Sequence, residues 1–156
     1  MEYLYKINNM EGLKKFNFNN IIWLSTTTHV EMINKFMVEN DLFTLKSEFL
    51  QECIDNGINY CALIKNERIL AMGCVERYSN IYWETADIKV HVRNRNNGYG
   101  RIITSFISNY ILLHEKVATS YTHENNLPMR RVLEDIGFEL MMVEENLIDK
   151  HYSQFK

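Results

Sequence analysis

The segment ADIKVHVRNRNNGYGRIITSFISNYILL (86–113) constrains the fold more than any other part of the chain. Its first seven residues alternate apolar and polar, the period of a half-buried strand. Its last twelve place Ile102, Ile103, Phe106, Ile107, Tyr110, Ile111 and Leu113 at helical spacing, opposite Arg101, Thr104, Ser105, Ser108 and Asn109. Between them lies a turn holding Gly98 and Gly100. KVATSYT (116–122) then reads as another strand, so the region is a strand–helix–strand unit.

The rest of the chain supplies strands and helices around that unit. IIWLSTTT (21–28) reads as a strand, and Thr28 is the expected cap of a helix over 29–40 with Val30, Ile33, Phe36 and Met37 on one face. A second helix is expected over 41–57, carrying Leu42, Leu45, Phe49, Leu50 and Cys53 and ending at Gly57. From residue 58 the period falls to two, giving a hairpin that turns near Lys65-Asn66-Glu67 and a third strand over 81–92. NNLPMRRVLEDIG (125–137) has the punctuation of a short helix, with an asparagine cap, Pro128 in the first turn and Gly137 at the end. FELMMVEENLIDKHY (138–152) supplies one or two final strands, whereas asparagines interrupt every pattern in residues 1–20. The expected class is α/β or α+β around a mixed sheet with antiparallel N-terminal strands.

Composition excludes several alternatives. The 156 residues suit one domain, and one proline and six glycines leave no linker or low-complexity tract. No run approaches the ~18 apolar residues of a membrane span, and the N-terminus lacks the pattern of a signal peptide. Cys53, Cys61 and Cys74 are odd in number and lack metal-ligand spacing, so buried, reduced thiols in a cytoplasm are expected and no metal site is. A net charge of −3 argues against a nucleic-acid binder and tolerates a cationic substrate.

The glycine turn carries the chemistry. Every residue from Asn96 to Arg101 keeps its backbone N–H, Gly98 and Gly100 allow close approach, and Arg93, Arg95 and Arg101 add positive charge at a helix N-terminus. That combination suits a pyrophosphate. The Walker pattern is absent, and Ile103 stands where a dinucleotide fingerprint needs its third glycine.

Arg95-x-x-Gly98-x-Gly100 resembles the acetyl-coenzyme A signature, [R/Q]-x-x-G-x-[G/A], of the GNAT superfamily of N-acetyltransferases. NLPMRRVLEDIGF is similar to that family's downstream motif, with Asn126, Val132, Gly137 and Phe138 on the family positions. The resemblance covers residues 58–140 well and the first 57 poorly. It implies a single GNAT-like domain over 1–156, with residues 1–57 forming a substrate-side strand and helices and 58–140 a β-α-β CoA-binding core, with helices on both faces of the sheet. It also implies acetyl transfer from acetyl-CoA to a primary amine of a small molecule or peptide, by direct attack in a ternary complex. Many relatives dimerise, so a homodimer is an open expectation.

Residue by residue, the resemblance assigns Arg95, Asn96, Asn97, Gly98, Tyr99, Gly100 and Arg101 to the cofactor's phosphates. It assigns backbone amides near Ile88 and Val90 to the thioester and pantetheine, on a strand that splays from its neighbour, and Asn126 to a pantetheine or water contact, beside its role as helix cap. Glu84, fourteen positions ahead of Gly98, matches a glutamate that serves as general base in histone-acetyltransferase-like members. Alternation places Glu84, Ala86, Ile88 and Val90 on one face and Asp87 and His91 on the other; a register slip would pass the question to those two. His123 is the second candidate base. The base matters because presenting a lysine-type amine neutral at pH 7 costs about 4.6 kcal/mol.

Two departures bear on the chemistry. Leu133 stands where many members carry a tyrosine that protonates the leaving thiolate, leaving Tyr121 as the option for the acid, and Asn96 stands where the family favours glycine. Arg130 and Arg131, adjacent on one helix, turn at most one guanidinium toward a phosphate and are read as solubility charges. Two other readings share these residues: a CoA-binding, non-catalytic domain acting as sensor or partner module, and a transferase for another acyl chain or a hydroxyl acceptor.

Overall fold

The computed structural model describes residues 1–147. The strands are β1 (Glu2–Ile7), β2 (Ile21–Trp23), β3 (Ile58–Lys65), β4 (Arg68–Glu76), β5 (Tyr82–Val90), β6 (Val117–His123) and β7 (Glu139–Glu144). The helices are α1 (Val30–Glu39), α2 (Ser47–Asp55), α3 (Tyr99–Leu113) and α4 (Leu127–Ile136), with 3-10 turns at Met10–Gly12 and Val92–Asn94. One sheet runs in the order β2-β3-β4-β5-β6-β1-β7. Among the described residues its pairs are antiparallel except β5–β6, the pair that α3 connects. This is the expected mixed α/β sheet.

Helices cover both faces. Ile103, Ile107 and Ile111, one turn apart on α3, are fully buried against Cys61, Ala71 and Val75 of the sheet, and Leu133 and Ile136 of α4 join them. Ile33, Phe36 and Met37 of α1 and Leu50 of α2 cover the other face over Ala62, Ile69 and Met72. Each such side chain contributes roughly 1.5–3 kcal/mol by leaving water. The hairpin turn falls where the sequence puts it: Asn66 and Glu67 both have positive φ, 52° and 61°, the type I′ geometry that matches strand twist.

Several boundaries differ from the sequence reading. Residues 1–20 contain a complete strand, β1, which inserts between β6 and β7. β2 ends at Trp23, because residues 25–29 form a polar turn instead of continuing the strand. There the Ser25 amide donates to His29 Nδ1 at 2.8 Å and Thr28 Oγ1 lies 2.6 Å from Ser25 Oγ. Thr28 therefore caps nothing; the residue before α1 is His29, without a side-chain cap bond.

Helix α2 begins only at Ser47. Asn34 of α1 grips Leu45 with both amide atoms, donating to its carbonyl at 2.9 Å and accepting from its N–H at 2.7 Å, so residues 41–46 are a pinned connection. Asp41 takes a left-handed φ of 55° there. The 138–152 region gives one strand, β7, among the described residues; the rest of that expectation from residue 148 on lies outside them.

The polar side of α3 is not a solvated face. Thr104, Ser105 and Ser108 are buried. Two of their hydroxyls are satisfied on the preceding turn, Thr104 Oγ1 donating to the Gly100 carbonyl at 2.6 Å and Ser108 Oγ to the Thr104 carbonyl at 2.7 Å, while Ser105 Oγ donates to the distant Lys14 carbonyl. Small hydroxyl side chains let the helix lie close to the sheet. Ile102, Phe106 and Tyr110 on the outer side are only partly buried, with Phe18 and Trp23 against Phe106 and Trp23 against Tyr110.

Candidate active site

Beside the glycine turn the sheet forks. β5 and β6 pair only at Tyr82–Val117, Trp83–Ala118 and Glu84–Thr119. Beyond these β6 stays with β1 as far as His123, while β5 stays with β4 as far as Val90. Two side chains bridge the fork where the ladder stops. Ser120 Oγ donates to the Thr85 carbonyl at 2.9 Å, and Glu84 Oε1 accepts the Tyr121 N–H at 2.8 Å.

A β-bulge sharpens the divergence. Met72 pairs with Lys89 and Cys74 with Ala86, so Asp87 and Ile88 together oppose Gly73. Asp87 absorbs the extra residue with φ 53°, a left-handed value that Asp tolerates better than most side chains. Ile88 turns into the space over Gly73, where a Cβ would sit 2.5 Å from its Cδ1.

The bulge overturns the strict alternation expected along β5. Ile88 and Val90 pack toward α3, the side to which Thr85 sends its hydroxyl, 3.1 Å from Ser108 Oγ. Asp87 and His91 point the other way, toward the α1 side: Tyr60 Oη donates to Asp87 at 2.7 Å, and His91 stacks edge-on against Phe36. Glu84 and Asp87 thereby share a face, and both line one cleft. Lys89 is ion-paired to Asp87 there.

The cleft has a volume of about 970 Å³ and runs through the fork. One wall is the glycine turn with the start of α3, a second is β5 from Glu84 to Val90, and a third is Ser120–Thr122 with Asn126 and α4. Phe36, Asn40 and Leu42 close the end beside α1. His91 gives its backbone amide to the Leu70 carbonyl at 2.8 Å, so the amide of Val90, one residue back, points away from β4 toward the opening.

The turn is built as its sequence requires. Gly98 stands at the N-cap of α3 with φ 79°, and Asn96 reaches φ 66°, a left-handed value asparagine adopts in place of glycine. The first-turn amides of α3 lack partners within the helix and carry its partial positive charge. Arg95, Asn96, Gly98, Tyr99, Gly100 and Arg101 line the cleft. Asn97 does not; its side chain donates to the carbonyls of Asn94 and Arg95 and braces the loop. Arg101 also pairs with Asp135 of α4 at 2.7 Å. A Cβ on Gly100 would meet only Val90 Cγ2, at an ordinary 3.5 Å, so the protein's own packing leaves that space open toward the cleft.

Of the other candidates, Asn126 lines the cleft and caps α4, accepting the Met129 N–H at 3.2 Å. Tyr121 lines it too; burial, and then the Glu84 carboxylate, push its phenol up, so it is present as a neutral hydroxyl. Glu84 is 3 % exposed. His123 is exposed at the end of β6, outside the cleft, with Nδ1 near the Asn125 amide. Leu133 is fully buried in the core.

Arg131 lines the cleft and Arg130 does not: its guanidinium lies 4.2 Å over the Tyr3 ring. One of the pair thus lines the site, within the sequence reading that at most one can, and Arg131 is also solvent-exposed. Phe36, Asn40, Leu42 and Lys89 were not legible as site residues, since only the tertiary packing of α1 brings the first three to β5. Among the described residues no cluster of His, Cys, Asp or Glu is placed to hold a metal, and no helix is long and apolar enough to cross a membrane.

Comparison with known proteins agrees with this geometry. No curated protein matches the sequence. Among solved structures, a protein of Novosphingobium aromaticivorans assigned to the GNAT acetyltransferases superimposes with a TM-score of 0.69 at 16 % identity, over 90 % of this chain and 60 % of that one. A GNAT-family acetyltransferase of Colwellia psychrerythraea gives 0.67 at 15 %, over 89 % and 52 %. The chain thus spans little more than half the length of these two. The ribosomal-protein-S18-alanine N-acetyltransferase of Escherichia coli gives 0.63 at 16 %, over 81 % of each chain. These likenesses establish a shared fold. The model of the FR47-like protein family matches residues 64–147, more than half of the chain and the whole span from β4 to β7, so the chain belongs to the FR47-like family within the GNAT superfamily of N-acetyltransferases.

Proposed function

We propose that the protein transfers an acetyl group from acetyl-CoA to a primary amine of a small molecule or peptide. The observation that carries this reading is the fork: a basic, glycine-capped helix N-terminus opens directly into the gap between β5 and β6. CoA has a pyrophosphate at one end of an extended amide-bearing arm. The residues present fit it. Loop amides with Arg95, Arg101 and Arg131 suit the phosphates, the open space at Gly100 suits close approach, and the free edge of β5 near Ile88 and Val90 suits the arm. Acetyl-CoA supplies the activated acyl group.

In this reading the acceptor amine enters from the end lined by Phe36, Asn40 and Leu42. Its nitrogen forms a bond to the thioester carbonyl carbon, the C–S bond breaks, and the ammonium proton passes to a base. Glu84 is the carboxylate at the fork and the first choice for that role. The neutral hydroxyl of Tyr121, on the neighbouring strand, is the group suited to return a proton to the departing thiolate.

A second reading, a CoA-binding domain without turnover, draws support from two placements: Glu84 already serves the Tyr121 amide, and Leu133 is core. Thermal shift with acetyl-CoA, CoA and ATP in parallel tests the cofactor. At a hundred times its dissociation constant a ligand adds about 2.7 kcal/mol, or roughly 5–11 °C for a chain of this size. Shifts with the two CoA species and little with ATP are expected. No shift with any of them removes the assignment, and shifts without turnover across an amine panel favour the second reading.

A further inference from the structure

At the end of the cleft beside α1, the polar side chains already hold one another. Asn40 commits both atoms of its amide to backbone: Nδ2 donates to the Phe36 carbonyl at 2.7 Å, and Oδ1 accepts the Val92 N–H at 2.8 Å. Asp87 commits both carboxylate oxygens, Oδ2 accepting from Tyr60 Oη at 2.7 Å and Oδ1 pairing with Lys89. Among the described residues that line the cleft, the only other carboxylate is Glu84, whose Oε1 holds the Tyr121 amide at the fork. Asp41 follows Asn40 in the chain but does not line the cleft.

Beyond that set, this end offers apolar surface. Phe36 and Leu42 line it, and Phe43, next to Leu42, is 96 % exposed. The segment that carries them is held at both ends. The Leu42 N–H donates to the Met37 carbonyl at 2.8 Å, and Asn34 grips Leu45 three residues on. Two large apolar side chains kept in water by a pinned connection, continuous with the wall of a cleft, mark a surface for an apolar ligand group.

A second positive charge on the acceptor finds no partner at this end. Lys89 already neutralises Asp87, so a cation brought to that carboxylate would meet the lysine ammonium, like charge against like. Resting on the transferase reading above, we propose that the acceptor is a primary amine with an apolar body and no second cation. Its nitrogen reaches the fork at Glu84, and its body lies on Phe36 and Leu42. Polyamines and peptides with a basic first residue fall outside this class, although the chain as a whole is acidic. A free arylalkylamine and a peptide with an apolar first residue share the required chemistry.

The test follows thiol release from acetyl-CoA with two matched pairs of amines. One pair is phenylethylamine and spermidine; the other is a tripeptide beginning with phenylalanine and the same tripeptide beginning with lysine. In at least one pair, kcat/KM for the apolar member is expected to exceed that for the cationic member by about tenfold or more. The apolar member with the higher value tells the free amine from the peptide. Leu42→Asp puts an unpaired carboxylate on the rim and should lower the apolar-to-cationic ratio about tenfold. Cationic members turned over as well as the apolar ones, or an unchanged ratio in Leu42→Asp, overturn the proposal and leave the transferase reading standing. No turnover of any of these amines, with the CoA-induced thermal shift present, overturns both and leaves the CoA-binding reading. If Leu42→Asp does not fold, the wild-type ratios decide.

Discussion

Glu84 and Tyr121 meet across the point where two parallel strands part: the buried carboxylate of the first accepts the backbone amide of the second at 2.8 Å. A ladder bond has been replaced by a side-chain bond, and the replacement lies at the mouth of the cleft. One residue thus holds the fork and presents a carboxylate to it. The two roles separate by substitution, because glutamine keeps an acceptor oxygen for the amide and loses the ability to take a proton.

Glu84→Gln is therefore expected to keep its melting temperature within about 2 °C and its CoA-induced shift, while amine acetylation falls by at least about a hundredfold. Glu84→Ala leaves the Tyr121 amide without its partner, a loss of about 1–3 kcal/mol. Its melting temperature should drop by roughly 2–12 °C. Differential scanning calorimetry beside a thiol-release assay checks both. Full turnover in Glu84→Gln would remove the carboxylate from the chemistry and leave it the fork alone.

The glycines of the two sequence motifs are expected to behave oppositely. A Cβ on Gly100 meets nothing closer than 3.5 Å inside the protein. Gly100→Ala should thus be as stable as the wild type or slightly more so, alanine being the better helix former, yet lose most of its thermal shift with CoA. Gly137 has φ 114°, and a Cβ there would lie 2.1 Å from the Gly12 carbonyl oxygen. Gly137→Ala should lose more than about 3 kcal/mol, at the high end for single substitutions. Urea titration gives the stabilities, and a CoA shift retained by Gly100→Ala would show that the cofactor does not approach that carbon.

The strand–turn–helix unit, the hairpin at Asn66-Glu67 and the ends of α4 were legible because each rests on local rules: periodicity, turn chemistry and caps. β1 was not, because its burial comes from insertion between β6 and β7, a relation over more than a hundred residues. The bulge at Asp87 has one local signal in the sequence. Gly73, alone inside an apolar strand, marks a site where the partner chain comes close, and Ile88 fills that space. The buried hydroxyls of α3 were not legible because Thr104 and Ser108 satisfy themselves on the preceding turn, which no polarity scale records, and Ser105 depends on the distant Lys14 carbonyl.

Leu133 offers a test of where the acid sits. It is fully buried among the α3 and sheet residues of the core. Restoring the family's tyrosine there, Leu133→Tyr, is expected to overpack the core at a loss of about 1–3 kcal/mol and to leave turnover no higher. Tyr121→Phe, by contrast, removes the hydroxyl proposed as the acid and should lower turnover more than it lowers stability. A gain of activity in Leu133→Tyr would show that this side chain reaches the cleft after all.

The alkaline limb of stability follows from groups buried in their protonated forms. Burial pushes the thiols of Cys61 and Cys74 up, and burial first, with nearby acidic groups, pushes up the phenols of Tyr60 and Tyr121. Burial raises Tyr78 as well, against a lowering bond to Thr119. Each is an acid whose folded form holds its proton more tightly than the unfolded chain does. Above the unfolded pKa the unfolded state releases a proton that the native state keeps, so fewer protons are bound on unfolding and stability falls as pH rises. The thiols begin this loss near about pH 8.5 and the phenols near about pH 10. The melting temperature should therefore fall from about pH 8.5 upward and more steeply beyond pH 10, as differential scanning fluorimetry across that range would record. Burial pushes the Cys53 thiol up as well, so Cys61→Ala and Cys74→Ala together should flatten part of the first decline, Cys53→Ala in addition should flatten the rest of it, and the second decline should remain. A decline that starts only above pH 10 in the wild type would mean that the buried thiols reach solvent and titrate freely in the native protein.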